Sequence, residues 1–145
     1  MSEERPLRER LQARFVGAVI ARVDDALQTR AAIEPATFWS VAADEQHFTG
    51  PVVLAMLVQT VVTLVDGAGT APDHVDCRRA IRFEEASGGT LEVYFNAFGM
   101  QMRAAGTSFS LERGALVAAL ARLPHDAAGA RVRVILAPLT SGPGR

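Results

Sequence analysis

The chain has 145 residues, of which 49% are hydrophobic and 21% are charged, and its formal net charge is -1. This length predicts a single domain over residues 1–145. The near-neutral charge argues against nucleic acid as a partner, because such a partner requires a basic excess on one face. Cys77 is the only cysteine, so an internal disulfide is excluded and the reducing cytoplasm is the simplest predicted location.

The first half of the chain predicts a charged lead-in over residues 1–14 and then a hairpin. Phe15–Asp24 fits either a strand or a short helix, whereas Leu27–Ile33 alternates with the period of two that is typical of a strand. One long helix over Pro6–Ala32 is the alternative, because alanine and arginine favour helices. Loop signals dominate the segment that follows, as far as Gly50.

Pro51–Val65 forms the strongest pattern in the sequence, since almost all of its residues are apolar. It predicts a helix of about four turns that is hydrophobic on every side and therefore has to be covered on every side. The run is shorter than the roughly 20 residues of a membrane span and contains Gln59, Thr60 and Thr63. We therefore predict a buried helix and no membrane partner.

Strands dominate the prediction for the second half of the chain. Arg79–Glu85 and Thr90–Phe98 lie on either side of a Ser-Gly-Gly turn, and their alternation predicts two strands. A further extended segment follows over Gln101–Phe109.

The last part of the chain leaves one alternative open. Leu111–Leu123 fits a helix capped by Ser110, but it also fits a hairpin turn followed by a strand. Arg131–Ala137 predicts the last strand, because arginine and valine alternate in it, and residues 139–145 predict a flexible tail.

Three segments carry a resemblance to a known family. They are the hairpin-like Phe15–Pro35, His47–Pro51 at the start of the apolar helix, and Ala80–Val93 with its strand, short polar turn and strand. Over roughly Phe15–Leu123 the chain resembles the small hotdog-fold acyl-thioester enzymes, namely acyl-CoA thioesterases of the phenylacetate-pathway type and 3-hydroxyacyl-ACP dehydratases. The resemblance implies an α+β hotdog fold, in which a curved antiparallel sheet wraps around one long apolar helix.

The same resemblance implies that the protein binds an acyl-CoA or acyl-ACP thioester and, as the leading reaction, hydrolyses it. Dehydration of a β-hydroxyacyl thioester and binding by a non-catalytic hotdog subunit are the alternatives. The family enzymes carry Asp or Glu in the first turns of the central helix, whereas Pro51–Val65 contains neither, and this difference favours the non-catalytic alternative. No cofactor or metal is implied, and the expected protein partner is a second copy or another hotdog subunit, in a homodimer or heterodimer.

His47 and Gln59 are the candidate catalytic residues. Histidine can accept a proton near neutral pH, which suits a general base, and the amide of Gln59 can hold a water or a carbonyl. An acid from a neighbouring segment or from a second subunit would have to activate that water. Structural roles are the alternative for both, as a hydrogen-bonded loop histidine and as a glutamine that bonds the backbone or a dimer interface.

Residues around the helix start are candidates for substrate binding. Backbone amides there are unpaired and lie at the positive end of the helix dipole, which suits a thioester carbonyl that develops negative charge. The predicted substrate-binding residues are Phe48, Thr49, Gly50 and Met56. Met100 and Met102 are further candidates for lining an acyl pocket, with core packing as the alternative. Cys77 has no neighbours that would activate a thiol, so we expect a small buried side chain.

Overall fold

The computed structural model of the chain describes residues 7–71 and 74–139, which form five helices and one seven-stranded antiparallel sheet. The strands are β1 (Phe15–Arg22), β2 (Asp44–Phe48), β3 (Gly69–Thr70), β4 (Arg79–Glu85), β5 (Thr90–Phe95), β6 (Gln101–Ala104) and β7 (Thr107–Ser110). The helices are α1 (Leu7–Arg10), α2 (Pro35–Val41), α3 (Pro51–Asp66), α4 (Ala115–Ala121) and α5 (Ala127–Leu136). The strands lie side by side in the order β2-β1-β4-β5-β6-β7-β3. The predicted α+β class is confirmed.

Helices cover the two faces of the sheet unequally. Ile20 and Ile81 lie opposite each other on the first face, and Ala21 and Ala80 lie opposite each other on the second, as alternation along a strand requires. Helices α3, α4 and α5 pack on the first face and form the larger core with it. Helix α2 covers part of the second face, where Phe38 anchors a smaller cluster.

Most of the strand predictions for the second half of the chain are confirmed. Arg79–Glu85 is β4, and the strand predicted over Thr90–Phe98 begins at Thr90 but ends at Phe95. It ends there because the side-chain oxygen of Asn96 accepts hydrogen bonds from two amides of the following turn, at 2.9 and 3.1 Å. The extended segment over Gln101–Phe109 is a hairpin of β6 and β7 rather than one strand.

The predicted hairpin of the first half is wrong in its second strand. Phe15–Arg22 is a strand, which also excludes one long helix, but Leu27–Ile33 forms a loop. Side chains hold this loop instead of a partner strand: Arg78 Nη1 donates to the carbonyl of Leu27 at 2.9 Å, and Asp76 Oδ1 accepts from the amide of Ile33 at 2.8 Å. Strand β1 pairs with β2, in a segment where only loops were predicted. Within the predicted lead-in, residues 1–6 lie outside the described residues and α1 follows them.

The predicted last strand, Arg131–Ala137, is also wrong, because Ala127–Leu136 is helix α5. Asp126 caps its start by accepting a hydrogen bond from the amide of Gly129 at 2.8 Å. A side chain at Gly129 would lie 2.0 Å from the carbonyl oxygen of Pro124, so the close approach of the chain at this point requires glycine. Three apolar side chains spaced as in a helix are buried against the sheet, and this packing outweighs the strand preference of valine.

The region between β7 and α5 resolves the alternative left open by the sequence. Helix α4 occupies Ala115–Ala121, and its N-cap is Gly114, at φ 81°, rather than Ser110, which belongs to β7. After α5 the described chain continues to Leu139, and residues 140–145 of the predicted tail lie outside the described residues.

Helix α3 is confirmed almost to the residue, as Pro51–Asp66, with proline in the first turn and Gly67 at its C-cap. Its buried apolar side chains form one stripe, which consists of Leu54, Leu57, Val61 and Leu64. The prediction that the helix is covered on every side is wrong within one copy of the chain, since the side of the helix away from the sheet carries Val52, which is 69% exposed. In the described part of the chain, no helix combines the length and the hydrophobicity that crossing a membrane requires.

Candidate functional site

A groove runs beside the first half of α3, and we call it the helix-start groove. Its volume is about 560 Å³. It is lined by Leu11, Ala13, Arg14, Phe15, Val16, Thr49, Pro51, Leu54, Ala55 and Val58. The register between β1 and β4 shifts between Phe15 and Gly17, at the position of Val16, which is exposed. Of the predicted substrate-binding residues, Thr49 lines this groove.

Most of the residues that line the helix-start groove are apolar, and the groove is positive at one end. Arg14 is its only charged lining residue and is exposed. Gly50 is the N-cap and offers no side-chain acceptor, so the amides of Val52 and Val53 stay without an intrahelical partner. Together with the helix dipole, these groups favour an anion or a polarised carbonyl at this end of the groove.

A second groove, of about 200 Å³, separates α3 from α4, and we call it the α3–α4 groove. It is lined by Ala55, Met56, Gln59, Thr60, Thr63, Ala119, Arg122 and Leu123. Met56 and Gln59 therefore share one groove, whereas Thr49 lines the other. The amide of Gln59 donates to the hydroxyl of Thr63 at 3.3 Å. None of the lining side chains is a carboxylate, so a water held by Gln59 has no base beside it in this copy.

His47 lies on the other face of the sheet from Gln59. It is paired with Val19 across the β1–β2 ladder, whereas the neighbouring Phe48 is on the α3 side and packs against the larger core. His47 Nε2 is 2.9 Å from Glu84 Oε1, and both side chains are substantially exposed. The structure therefore brings His47 together with a carboxylate, but it does not bring His47 together with Gln59.

Further polar side chains on the second face of the sheet contact one another. Trp39 Nε1 donates to the hydroxyl of Tyr94 at 3.1 Å, and the guanidinium of Arg82 lies 4.2 Å from the centre of the Trp39 ring. Burial raises the pKa of Tyr94, whose hydroxyl donates to Glu92. These contacts fix α2 to the sheet, and the side chains of Trp39, Tyr94 and Glu92 form hydrogen bonds with one another.

The three methionines that were candidates for an acyl pocket have different environments. Met56 lines the α3–α4 groove, and Met102 is fully buried in the larger core. Met100 lines a third cavity, of about 540 Å³, which we call the Phe98 cleft. Its lining residues are Asn96, Phe98, Gly99, Met100, Arg113, Gly114, Leu116, Val117, Pro138 and Leu139. The sequence offers one signal for this cleft, namely two large apolar residues, Phe98 and Met100, within a turn.

Cys77 is fully buried, as expected, and burial raises the pKa of its thiol to about 12. The thiol is therefore protonated at pH 8 and shielded from solvent. We expect a thiol-reactive dye to label the folded protein at pH 8 at least roughly a hundredfold more slowly than the urea-unfolded protein. Labelling at similar rates in both states, followed by absorbance, would contradict the burial of this side chain.

Among the described residues, no group of three or more histidine, cysteine or acidic side chains is placed to hold a metal ion. In the described parts of the chain, most of the predicted site residues thus lie in two grooves beside α3, in a histidine–carboxylate pair on the opposite face and in the Phe98 cleft. Comparison of the chain with protein-family models, with curated proteins and with solved structures returned no match.

Proposed function

We propose that this protein binds acyl thioesters without hydrolysing them, as a hotdog-like binding subunit, with the acyl chain in the helix-start groove. The observation that carries the proposal is a groove beside α3 whose lining residues are mostly apolar and which has a positive end. The order of elements, with a strand before the helix and a series of neighbouring antiparallel strands after it, supports the hotdog part of the proposal.

The groove suits both ends of an acyl thioester. Its apolar wall is formed by residues of α3 and by the exposed Val16, and burial of an acyl chain against them is favourable by about 25 cal/mol per Å² of apolar surface. The phosphates of coenzyme A or of a phosphopantetheine arm are anions, which Arg14 and the start of α3 attract.

The residues along α3 support binding rather than catalysis. Hydrolysis needs a group that removes a proton from water, and neither the glutamine amide nor a threonine hydroxyl does so at neutral pH. The helix-start groove and the α3–α4 groove are lined by apolar residues, Thr, Gln and Arg.

The proposal also includes a second copy of the chain, which would cover the outer side of α3 in a hotdog-like dimer. Val52, Ala55 and Gln59 are exposed along the outer side of α3. Gln59 is close to the middle of the helix, so an antiparallel α3–α3 contact about a two-fold axis brings the two Gln59 amides together, where each can donate to the other. The proposal also includes a cytoplasmic location, and the single cysteine of the chain is the observation that supports it.

The test is isothermal titration of the whole protein with octanoyl-CoA. We expect saturable binding below about 1 mM for the unchanged protein. Val16→Asp should weaken binding at least roughly tenfold, because it places a charge in the apolar part of the groove while changing an exposed position. Arg14→Gln should weaken binding about threefold, and more at low salt than at high salt.

Val134→Asp is the matched control, because Val134 is similarly exposed but lies on α5, away from the grooves. It should bind octanoyl-CoA as the unchanged protein does. Equal binding by the Val16→Asp and Val134→Asp variants, or no binding to the unchanged protein, would refute the proposal.

Thioester hydrolysis is the second candidate function, and the 2.9 Å contact of His47 with Glu84 favours it, since such a pair can serve as a general base. The same samples distinguish the two functions by release of free thiol from octanoyl-CoA. No release supports the binding subunit. Release that His47→Ala abolishes would instead support the enzyme.

A further inference from the structure

We propose that the Phe98 cleft is a second binding site, distinct from the helix-start groove, which binds a small amphipathic carboxylate such as a medium-chain fatty acid. The two sites have no lining residue in common. The Phe98 cleft lies between the turn after β5, the start of α4 and the segment after α5. The proposal is therefore independent of the function proposed for the grooves of α3.

Exposed hydrophobic surface is concentrated at this cleft. In the described part of the chain, eight large hydrophobic side chains are exposed, and four of them line the cleft. These four are Phe98, Met100, Val117 and Leu139. Single exposed hydrophobic residues are common, but a group of them around one cavity indicates a binding site for an apolar ligand or an apolar part of a ligand.

The walls of the cleft are held in place by backbone contacts. The amide of Leu139 donates to the carbonyl of Ala97 at 2.8 Å, which fixes the segment after α5 beside the turn after β5. Gly99, at φ 68°, approaches Leu116 and Pro138 so closely that a side chain there would lie 3.1 Å from each. A preformed cavity of about 540 Å³ is within the usual size range of small-molecule sites.

Arg113 gives the cleft its charge preference. It is exposed, it is the only charged residue of the lining, and among residues 7–71 and 74–139 it has no ion-pair partner. A carboxylate beside Arg113 gains an attractive charge interaction and keeps contact with water, while its alkyl chain lies against the apolar walls.

The experiment titrates the whole protein with octanoate and, in parallel, with octanol, which has the same chain without the charge. We expect saturable octanoate binding at roughly 0.1–1 mM, the affinity typical of a ligand of this size. Val117→Asp should weaken octanoate binding at least roughly tenfold. Arg113→Gln should weaken octanoate binding about threefold and leave octanol binding unchanged.

Both substitutions are at exposed positions, so the variants should fold, and circular dichroism of each variant checks this. Val134→Asp is the control, because Val134 is exposed on α5 and lines neither the Phe98 cleft nor the helix-start groove, so this variant should bind octanoate as the unchanged protein does. The proposal is overturned by absence of saturable binding below about 5 mM. It is equally overturned if Val117→Asp binds octanoate normally, or if Arg113→Gln weakens octanoate and octanol to the same extent.

Discussion

Replacing Asp25 with alanine should lower the free energy of unfolding by about 3 kcal/mol, because it leaves a buried guanidinium without its counter-charge. The side chain of Arg79 is fully buried, and its Nη1 donates to Asp25 Oδ1 at 2.8 Å. Its Nε and Nη2 both donate to the carbonyl of Ala137, at 3.0 and 2.9 Å. Burial lowers the pKa of Arg79, and the bond to Asp25 opposes this effect while the charges of Arg22 and Arg78 add to it. Asp25 also pairs with Arg22, so its removal leaves Arg22 and Arg79 as neighbouring cations without their shared carboxylate.

Urea unfolding followed by the fluorescence of Trp39 measures this loss. The slope of the free energy of unfolding against urea concentration should be the same for the variant and the unchanged protein. Asp66→Ala is the control, since Asp66 pairs with Arg8 at a position where both side chains are more than half exposed, and such pairs contribute at most about 1 kcal/mol. The double change Asp25→Ala with Arg79→Met should be less destabilising than the single change Asp25→Ala. A loss for Asp25→Ala no larger than that of the Asp66 control would contradict the buried pair.

The one-sided burial of α3 predicts very different effects for two of its apolar residues. Leu57 is fully buried, so Leu57→Ala should lower the free energy of unfolding by about 3 kcal/mol, through lost burial and the cavity left behind. Val52 is on the outer side of the same helix, and Val52→Ala should cost less than about 0.5 kcal/mol in the monomer. Both values come from urea unfolding at low protein concentration.

Repeating the measurement at high protein concentration tests the proposed second copy. If α3 pairs with α3 of another copy, the stability of the unchanged protein should rise with concentration, and Val52→Asp should remove that rise. Equal losses for Leu57→Ala and Val52→Ala at low concentration would mean that the helix is covered on both sides within one chain.

Local sequence signals were sufficient where one segment decides its own structure. Pro51 and Gly67 mark the ends of α3, and the alternation in Arg79–Glu85 predicts β4 correctly. The prediction was wrong where distant contacts decide the structure. Strand β2 is short, polar and at the edge of the sheet, so it lacks the alternation of apolar residues that identifies a strand. The Leu27–Ile33 loop depends on Arg78 and Asp76, which lie far along the chain.

The candidate site was predictable only in part, for the same reason. Periodicity places Met56 and Gln59 near each other on α3, because residues three or four apart share a helix face. It does not show that His47 projects from the opposite side of the sheet, since that depends on the register with β1. The Phe98 cleft joins residues from three separate parts of the chain, and no local pattern connects them.

The order of the strands has a consequence for association between copies. Strand β2 at one edge of the sheet carries Asp44, Glu45 and His47, and β3 at the other edge is only two residues long. Charged side chains and very short strands are the devices by which sheets resist the addition of further strands. Both edges of the sheet thus discourage two molecules of this protein from joining or aggregating strand to strand.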